Sequence, residues 1–447
     1  MRMPLRDKRR GSELSRLRVA FAAATVLAAA CSSPSAGRAT SVPYLDDASF
    51  RRGELVASLV NPDNGYSQLR LARYASGDSN DWDRLPEWNP AVESIAALEL
   101  DAPGGASTTS LSTGASPLRL PDSIASEDDP KLIALGEAAF ARYPAQLAPY
   151  LGVALTSRSA AAKYGLWVDE RRGAGDLVRT RMADGTVAVS LTCATCHAAP
   201  QDGVVVMGLA NAHLDVGAAI LDSPAGGVDP SRAAAIAGWG PGRLDVTTTA
   251  GIEPVAIPDL RPVRWLSHLH RDGTLALRDR TTLAIRIETL FITSQAQVVR
   301  PPRIVALALA AYILSLAESL PAMETAAASS PRGARIFASR CASCHGLSSL
   351  TGPPVPLAIV ATDPTLGLSP ERGTGAYRVP SLHGVGTRGP LLHDGTVPSL
   401  DALFDPARLT PTFARRLHGS GPVPGHSFGL DLGDRDRAAL LAYLGAL

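Results

Sequence analysis

The sequence predicts a mainly α-helical protein of two related domains in tandem behind an irregular N-terminal extension. Three observations carry this. A Cys-x-x-Cys-His pentapeptide occurs twice, beginning at Cys193 and at Cys341. Pro258 precedes Asp272-Gly273-Thr274 by fourteen positions, and Pro380 precedes Asp394-Gly395-Thr396 by the same fourteen. Each copy then closes on an apolar stretch, AAYILSL ending at Leu316 and LAYLGAL ending at Leu447. At about 150 residues per domain, 447 residues leave room for two or three domains. Hydrophobic residues make up 45% and charged residues 19%, so the chain forms a core. With 43 basic against 42 acidic residues it carries no electrostatic footprint for nucleic acid.

Residues 1–30 read as an export signal. Arginines from Arg2 to Arg18 precede the apolar stretch from Val19 to Ala30, which is shorter than the roughly 20 residues a membrane-spanning helix needs. The small residues Ala28, Ala29 and Ala30 sit before Cys31, and serines follow it. This resembles a bacterial lipoprotein signal, with Ala28 where that signal prefers Leu, and implies lipidation of Cys31. A plain cleaved signal with an incidental cysteine is the alternative. The expected location is the periplasmic side of the envelope, attached by a lipid anchor only.

Residues 31–128 contain Pro, Gly, Ser and Thr clusters, notably from Gly104 to Ser116, with no sustained period of 2 or 3.6. They are expected to be a linker and an irregular extension. The first domain is placed at 129–320 and the second at 330–447. GEAAF at Gly136 looks like the counterpart of GARIF at Gly333, although fifty-two residues separate the first from Cys193 and three the second from Cys341. The apolar run 304–317, bounded by Pro301, Pro302 and Glu318, predicts a buried helix. In the last helix Asp434 is the expected N-cap, with Leu440, Leu444 and Leu447 on one face.

CATCH, from Cys193 and Cys196 to His197, and CASCH, from Cys341 and Cys344 to His345, fit the attachment pattern of c-type haem. Two residues between the cysteines place both sulfurs along one helical turn, where they can form thioethers with one porphyrin, and the adjacent His faces the iron. Chance would supply such a pentapeptide on the order of 0.001 times per chain. A zinc site from the same residues would have to join pairs 148 positions apart and would not require the adjacent histidines. A redox CxxC pair or structural disulfides also leave those histidines unexplained. Two covalently bound haem c groups, each with its iron, are the expected cofactors.

These motifs, LGEAAF at Leu135 and above all YRVPSLHGVGTRGPLLHDG from Tyr377 to Gly395 resemble the bacterial di-haem cytochrome c peroxidase and MauG family, and more loosely the di-haem rubber oxygenases. The resemblance covers 129–447 and is most specific in the second domain. It implies two cytochrome c-like haem domains packed with both haems near their interface, one haem passing electrons to the other. The first domain departs from the family in lacking an NPxEM-like segment, which supplies a catalytic acid in the peroxidases.

All five methionines precede Cys341, so the second domain cannot offer Met to its own iron. Of its histidines, His426 lies just ahead of the last helix, where family members place the distal ligand, and is the chosen partner of His345. His393 belongs to an HDG turn and is either near the inter-haem region or structural, while His383 and His418 are read as solvated or structural. For the first haem the distal candidates are His270 and His213, then His268 and Met207. Trp265 is either an electron relay, as a Trp between haems is in this family, or a core residue. The expected function is electron transfer with a redox partner protein or small electron donor. The alternative is a peroxidase or oxygenase with the first haem as active site.

Overall fold

Two helix crossings of the same construction set the architecture. In the first, helix Pro130–Arg142 crosses helix Arg303–Ser315 at Gly136, where an added Cβ would lie 2.1 Å from the Ala308 carbonyl oxygen and 2.6 Å from the Tyr312 Cβ. In the second, helix Pro331–Arg340 crosses helix Asp434–Gly445 at Gly333, where the same Cβ would meet the Ala439 oxygen at 2.1 Å and the Tyr443 Cβ at 2.6 Å. Only glycine lets the backbones approach this closely. Phe140 packs on Tyr312, and Phe337 on Tyr443, each with ring centroids 5.3 Å apart. GEAAF and GARIF are therefore equivalent in space as well as in sequence.

The computed structural model describes residues 42–225, 227–245, 253–320, 323–416 and 419–447, which belong to one compact unit. The export signal, Cys31 and His418 lie outside them. Helix Arg303–Ser315 is buried from Val305 to Ile313, as its apolar run requires. No helix among the described residues is long and apolar enough to cross a membrane.

The Asp-Gly-Thr segments form matching turns. The Thr274 amide donates to Asp272 Oδ1 at 3.2 Å and the Thr396 amide to Asp394 Oδ1 at 3.1 Å. Gly273 and Gly395 take φ of +69° and +72°, the left-handed conformation such turns give to glycine.

The structure departs from the expected elements in three places. The stretch between helix Pro130–Arg142 and Cys193 is a β insertion. Val178–Arg181 and Val187–Leu191 pair antiparallel at the centre of a four-stranded sheet, with Val92–Ser94 and Gln146–Leu147 on its edges.

The N-terminal extension is irregular only in part: short helices and one strand occur as far as Asp101, and 102–129 runs without helix or strand. Helices Ala48–Ser58 and Gly65–Arg73, capped by Asp47 and Asn64, bury Leu55, Tyr66 and nearby Tyr44, Tyr74 and Trp82 in the same core as helix Arg303–Ser315. Such short helices draw their stability from tertiary packing. Their buried faces also carry Arg51 and Arg70, which blurs the apolar period. Glu288, itself fully buried, accepts from the hydroxyls of Tyr44 at 2.9 Å and Tyr74 at 2.6 Å and pairs with Arg303 at 3.2 Å.

The third departure is small. Gly433 occupies the N-cap of the last helix and Asp434 its first turn, where a carboxylate still opposes the helix dipole. Leu440, Leu444 and Leu447 are buried as expected.

Candidate haem-binding cavities

Cys193–His197 is one short helix, entered through Thr192, whose amide bonds Thr195 Oγ1 at 3.2 Å and whose hydroxyl donates to the Asp176 carbonyl at 3.0 Å. Cys193, Cys196 and His197 line a cavity of about 280 Å³. Its apolar wall includes Leu283, Ile287, Leu290 and Phe291, which recur at helical spacing along Arg280–Ser294. His197 Nδ1 donates to the Pro258 carbonyl at 2.9 Å. This fixes the tautomer and leaves Nε2 as the nitrogen with a free lone pair, the arrangement of a metal-ligating histidine. Burial lowers the His197 pKa to about 4, so the ring is neutral at pH 7. Burial also pushes the Cys193 and Cys196 thiols up to about 12, and they remain protonated until they react.

Cys341, Cys344 and His345 line a second cavity of about 230 Å³ with Phe337, Leu444, His426 and Phe428. The His345 and His426 ring centroids are 6.4 Å apart at an interplanar angle of 68°. Two imidazoles sharing one metal, with metal–nitrogen bonds of about 2 Å, hold their centroids about 6 Å apart. The spacing thus fits a single iron between them. Burial, followed by the neighbouring His426, lowers the His345 pKa to about 4, against the carbonyls of Leu350 and Pro380. Pro380 is the counterpart of Pro258, but no hydrogen bond to His345 Nδ1 is completed.

His426 is held from behind. Its φ is +43°, a conformation uncommon outside glycine but more accessible to His than to most residues. Its amide donates to the Val360 carbonyl at 2.7 Å. The fully buried Arg408 donates to the carbonyls of Leu403, Gly425 and His426, each at 2.8 Å, and to that of Val423. One guanidinium therefore ties down the loop that presents the histidine.

Among the described histidines only His197 and His270 line the first cavity. His270 Nε2 accepts from Arg286 Nε, so the ring proton sits on Nδ1, which is buried without a partner. Arg286 thereby withholds the nitrogen that would otherwise be free to bind iron. Tyr66 stacks edge-on against His270 at 5.0 Å, which brings the N-terminal extension to the cavity edge.

The other first-haem candidates do not enter the cavity. His213 is exposed, although the nearby Asn211 amide bonds the Cys196 carbonyl at 2.9 Å. Proximity to the motif along the backbone does not carry its ring inward. His268 bonds Ser267 Oγ at 3.0 Å, and Met207 pairs in the strand Val204–Met207 opposite Ala198.

His383 is buried, not solvated, because it stacks face to face on Trp265 at 3.7 Å and 8°. That contact joins the two halves of the chain. His393 lines the second cavity, stacks on Tyr377 at 4.5 Å and opens the Asp394 turn.

Sequence reasoning missed the arginines. Arg271 and Arg378 line both cavities, Arg286 the first and Arg388 the second. Their placement beside the repeated Pro and Asp-Gly-Thr positions was the available signal. The cavities also share Ile257, Pro258, Asp259 and Leu266.

These residues fit haem: paired cysteines beside a neutral histidine at each cavity wall, apolar linings, and cationic side chains at the edges. A bare metal ion has no comparable set, since no cluster of three or more His, Cys, Asp or Glu suited to one occurs among the described residues.

No family model and no curated protein matches the chain. Among solved structures, the chain is similar to a MauG-like protein associated with microbial copper homeostasis, with a TM-score of 0.31 and 18% identity, covering 47% of this chain and 79% of that one. That likeness is too slight to carry the fold or the function.

Proposed function

We propose that this chain is an exported c-type cytochrome that holds two haems and transfers electrons between them and a redox partner. Cys193 and Cys196 would hold the first by thioethers with His197 as axial ligand. Cys341 and Cys344 would hold the second with His345 and His426. A bound haem supplies one-electron chemistry at its iron.

The observation that carries this reading is that each CxxCH lines its own cavity and the two cavities share a wall. Groups seated there would exchange electrons across the shared wall, which includes Pro258 and Leu266. The His345–His426 spacing supports both rings holding the second iron, where a bound haem would supply one-electron chemistry with little rearrangement of these residues.

A second reading, peroxidase or oxygenase chemistry at the first haem, is favoured by the Arg286–His270 hydrogen bond, which engages the one described histidine besides His197 that lines that cavity. Low-temperature electron paramagnetic resonance of the oxidised protein separates the two. Two low-spin irons support a carrier, whereas a high-spin first iron whose signal changes with cyanide or peroxide supports an enzyme.

A further inference from the structure

Arg271, Arg286, Arg378 and Arg388 are partly buried and line the cavities. Their polar contacts among the described residues are few. Arg271 reaches the Ala256 carbonyl at 3.1 Å, Arg388 the Ser381 carbonyl and Arg286 the His270 ring. The Nε atoms of Arg271, Arg378 and Arg388 have no partner. Among the described residues no carboxylate forms an ion pair with any of the four. Asp259, which acts on Arg388 through space, is taken by Arg261 at 2.6 Å. Asp272, which acts on Arg286 and Arg378, accepts from Thr274, and Asp394, which acts on Arg271, accepts from Thr396. The Arg378 amide bonds the Arg271 carbonyl at 2.9 Å, which fixes the two shared guanidinium stems to each other across the cavities.

Burial and mutual repulsion make this arrangement expensive. Burial, with Arg271 and Arg388 adding to it, lowers the Arg378 pKa to about 9, and burial lowers those of Arg271 and Arg388 to about 10. Buried cations are ordinarily paired, and planar guanidinium groups match carboxylates. The site lacks anions that a haem would bring as its two propionates.

We propose that Arg271 and Arg378 form one carboxylate-binding site between the cavities that receives propionates from both haems, with Arg286 serving the first haem alone and Arg388 the second alone. This rests on the di-haem reading. It implies that the two propionate edges face each other and that one pair of side chains sets the potential of both irons, because a nearby positive charge favours the reduced state.

The test is a spectroelectrochemical titration of the full-length haem-loaded protein, with haem counted per chain in every variant. Arg378→Gln should retain two haems and lower both midpoint potentials, Arg388→Gln should lower only that of the second, and Arg378→Lys should recover part of the loss. Two retained haems with neither potential moved, or only one, in Arg378→Gln would overturn the shared site. If Arg378→Gln does not retain its haems, Arg378→Lys decides through the propionate-bending modes in resonance Raman: a change at both haems supports the site, and no change rejects it. A wild-type chain without haem overturns the di-haem reading itself, which the haem count shows separately.

Discussion

Gly136 and Gly333 occupy the same position in two helix crossings 197 residues apart in sequence, each with its missing Cβ 2.1 Å from a carbonyl oxygen of the partner helix. The equivalence extends to the tyrosine one turn further on, Tyr312 or Tyr443, and to the phenylalanine that packs on it. A duplicated helical frame thus underlies both cysteine motifs, though only the first copy carries the β insertion.

Gly136→Ala and Gly333→Ala should each cost about 1–3 kcal/mol, because the neighbouring atoms are backbone and can yield only by separating the helices. Gly53, in helix Ala48–Ser58 with nothing within 4 Å of its missing Cβ, is the control. Gly53→Ala should be neutral or stabilising by up to about 1 kcal/mol. Urea unfolding of the three variants checks the contrast, and equal losses at all three would remove the case for close approach.

Glu288→Ala should cost about 1–3 kcal/mol for each of the two tyrosine hydroxyls it leaves unpaired in the interior, with Arg303 keeping Asp83 as its partner. The loss should appear first as proteolytic cutting within 42–128, because Tyr44 and Tyr74 hold that segment to the core. Cutting no faster than in the wild type would show that the extension is held by its apolar contacts alone.

The motifs were legible because their residues are contiguous, and the turns because Asp-Gly-Thr encodes its own hydrogen bonds. The docking of the extension was not, since Tyr44 and Tyr74 meet Glu288 across 244 and 214 positions. Nor could spacing rank His213 against His270. His213 is the nearer to its CxxCH in sequence, yet the ring that lines the cavity belongs to His270, aimed by a backbone at φ +63°. His426 was singled out by the family resemblance, and its ring centroid lies 6.4 Å from that of His345; nothing in the sequence pointed to Arg408, which positions it.

His426→Ala should convert the second iron from low to high spin, whereas His383→Ala, which removes a stack on Trp265, should leave that iron unchanged. Electron paramagnetic resonance reads both. A low-spin signal that survives His426→Ala but is lost in His393→Ala would transfer the ligand role to the Asp394 turn.

Arg408→Met should act on the same iron indirectly. It leaves four carbonyls without their donor, and at about 1–3 kcal/mol for a buried unsatisfied group it should lower stability and produce a mixture of high-spin and low-spin second haem. A homogeneous low-spin spectrum would mean that the loop holds His426 without the guanidinium.

Cys31→Ser should release the protein from membranes while both haems stay attached, because the proposed lipid anchor and the proposed haem attachment would use different cysteines. Membrane fractionation with mass spectrometry of the wild type checks this, and a wild-type protein that is already soluble and free of lipid would contradict it.

The central claim is that each CxxCH holds one haem. The most direct measurement is a pyridine haemochrome assay, after acid-acetone extraction, on protein exported by a host competent for c-type haem attachment. The account predicts two covalently bound haems per chain, with one remaining in a Cys193→Ala/Cys196→Ala variant and one in a Cys341→Ala/Cys344→Ala variant. One haem or none in the wild-type chain would contradict it.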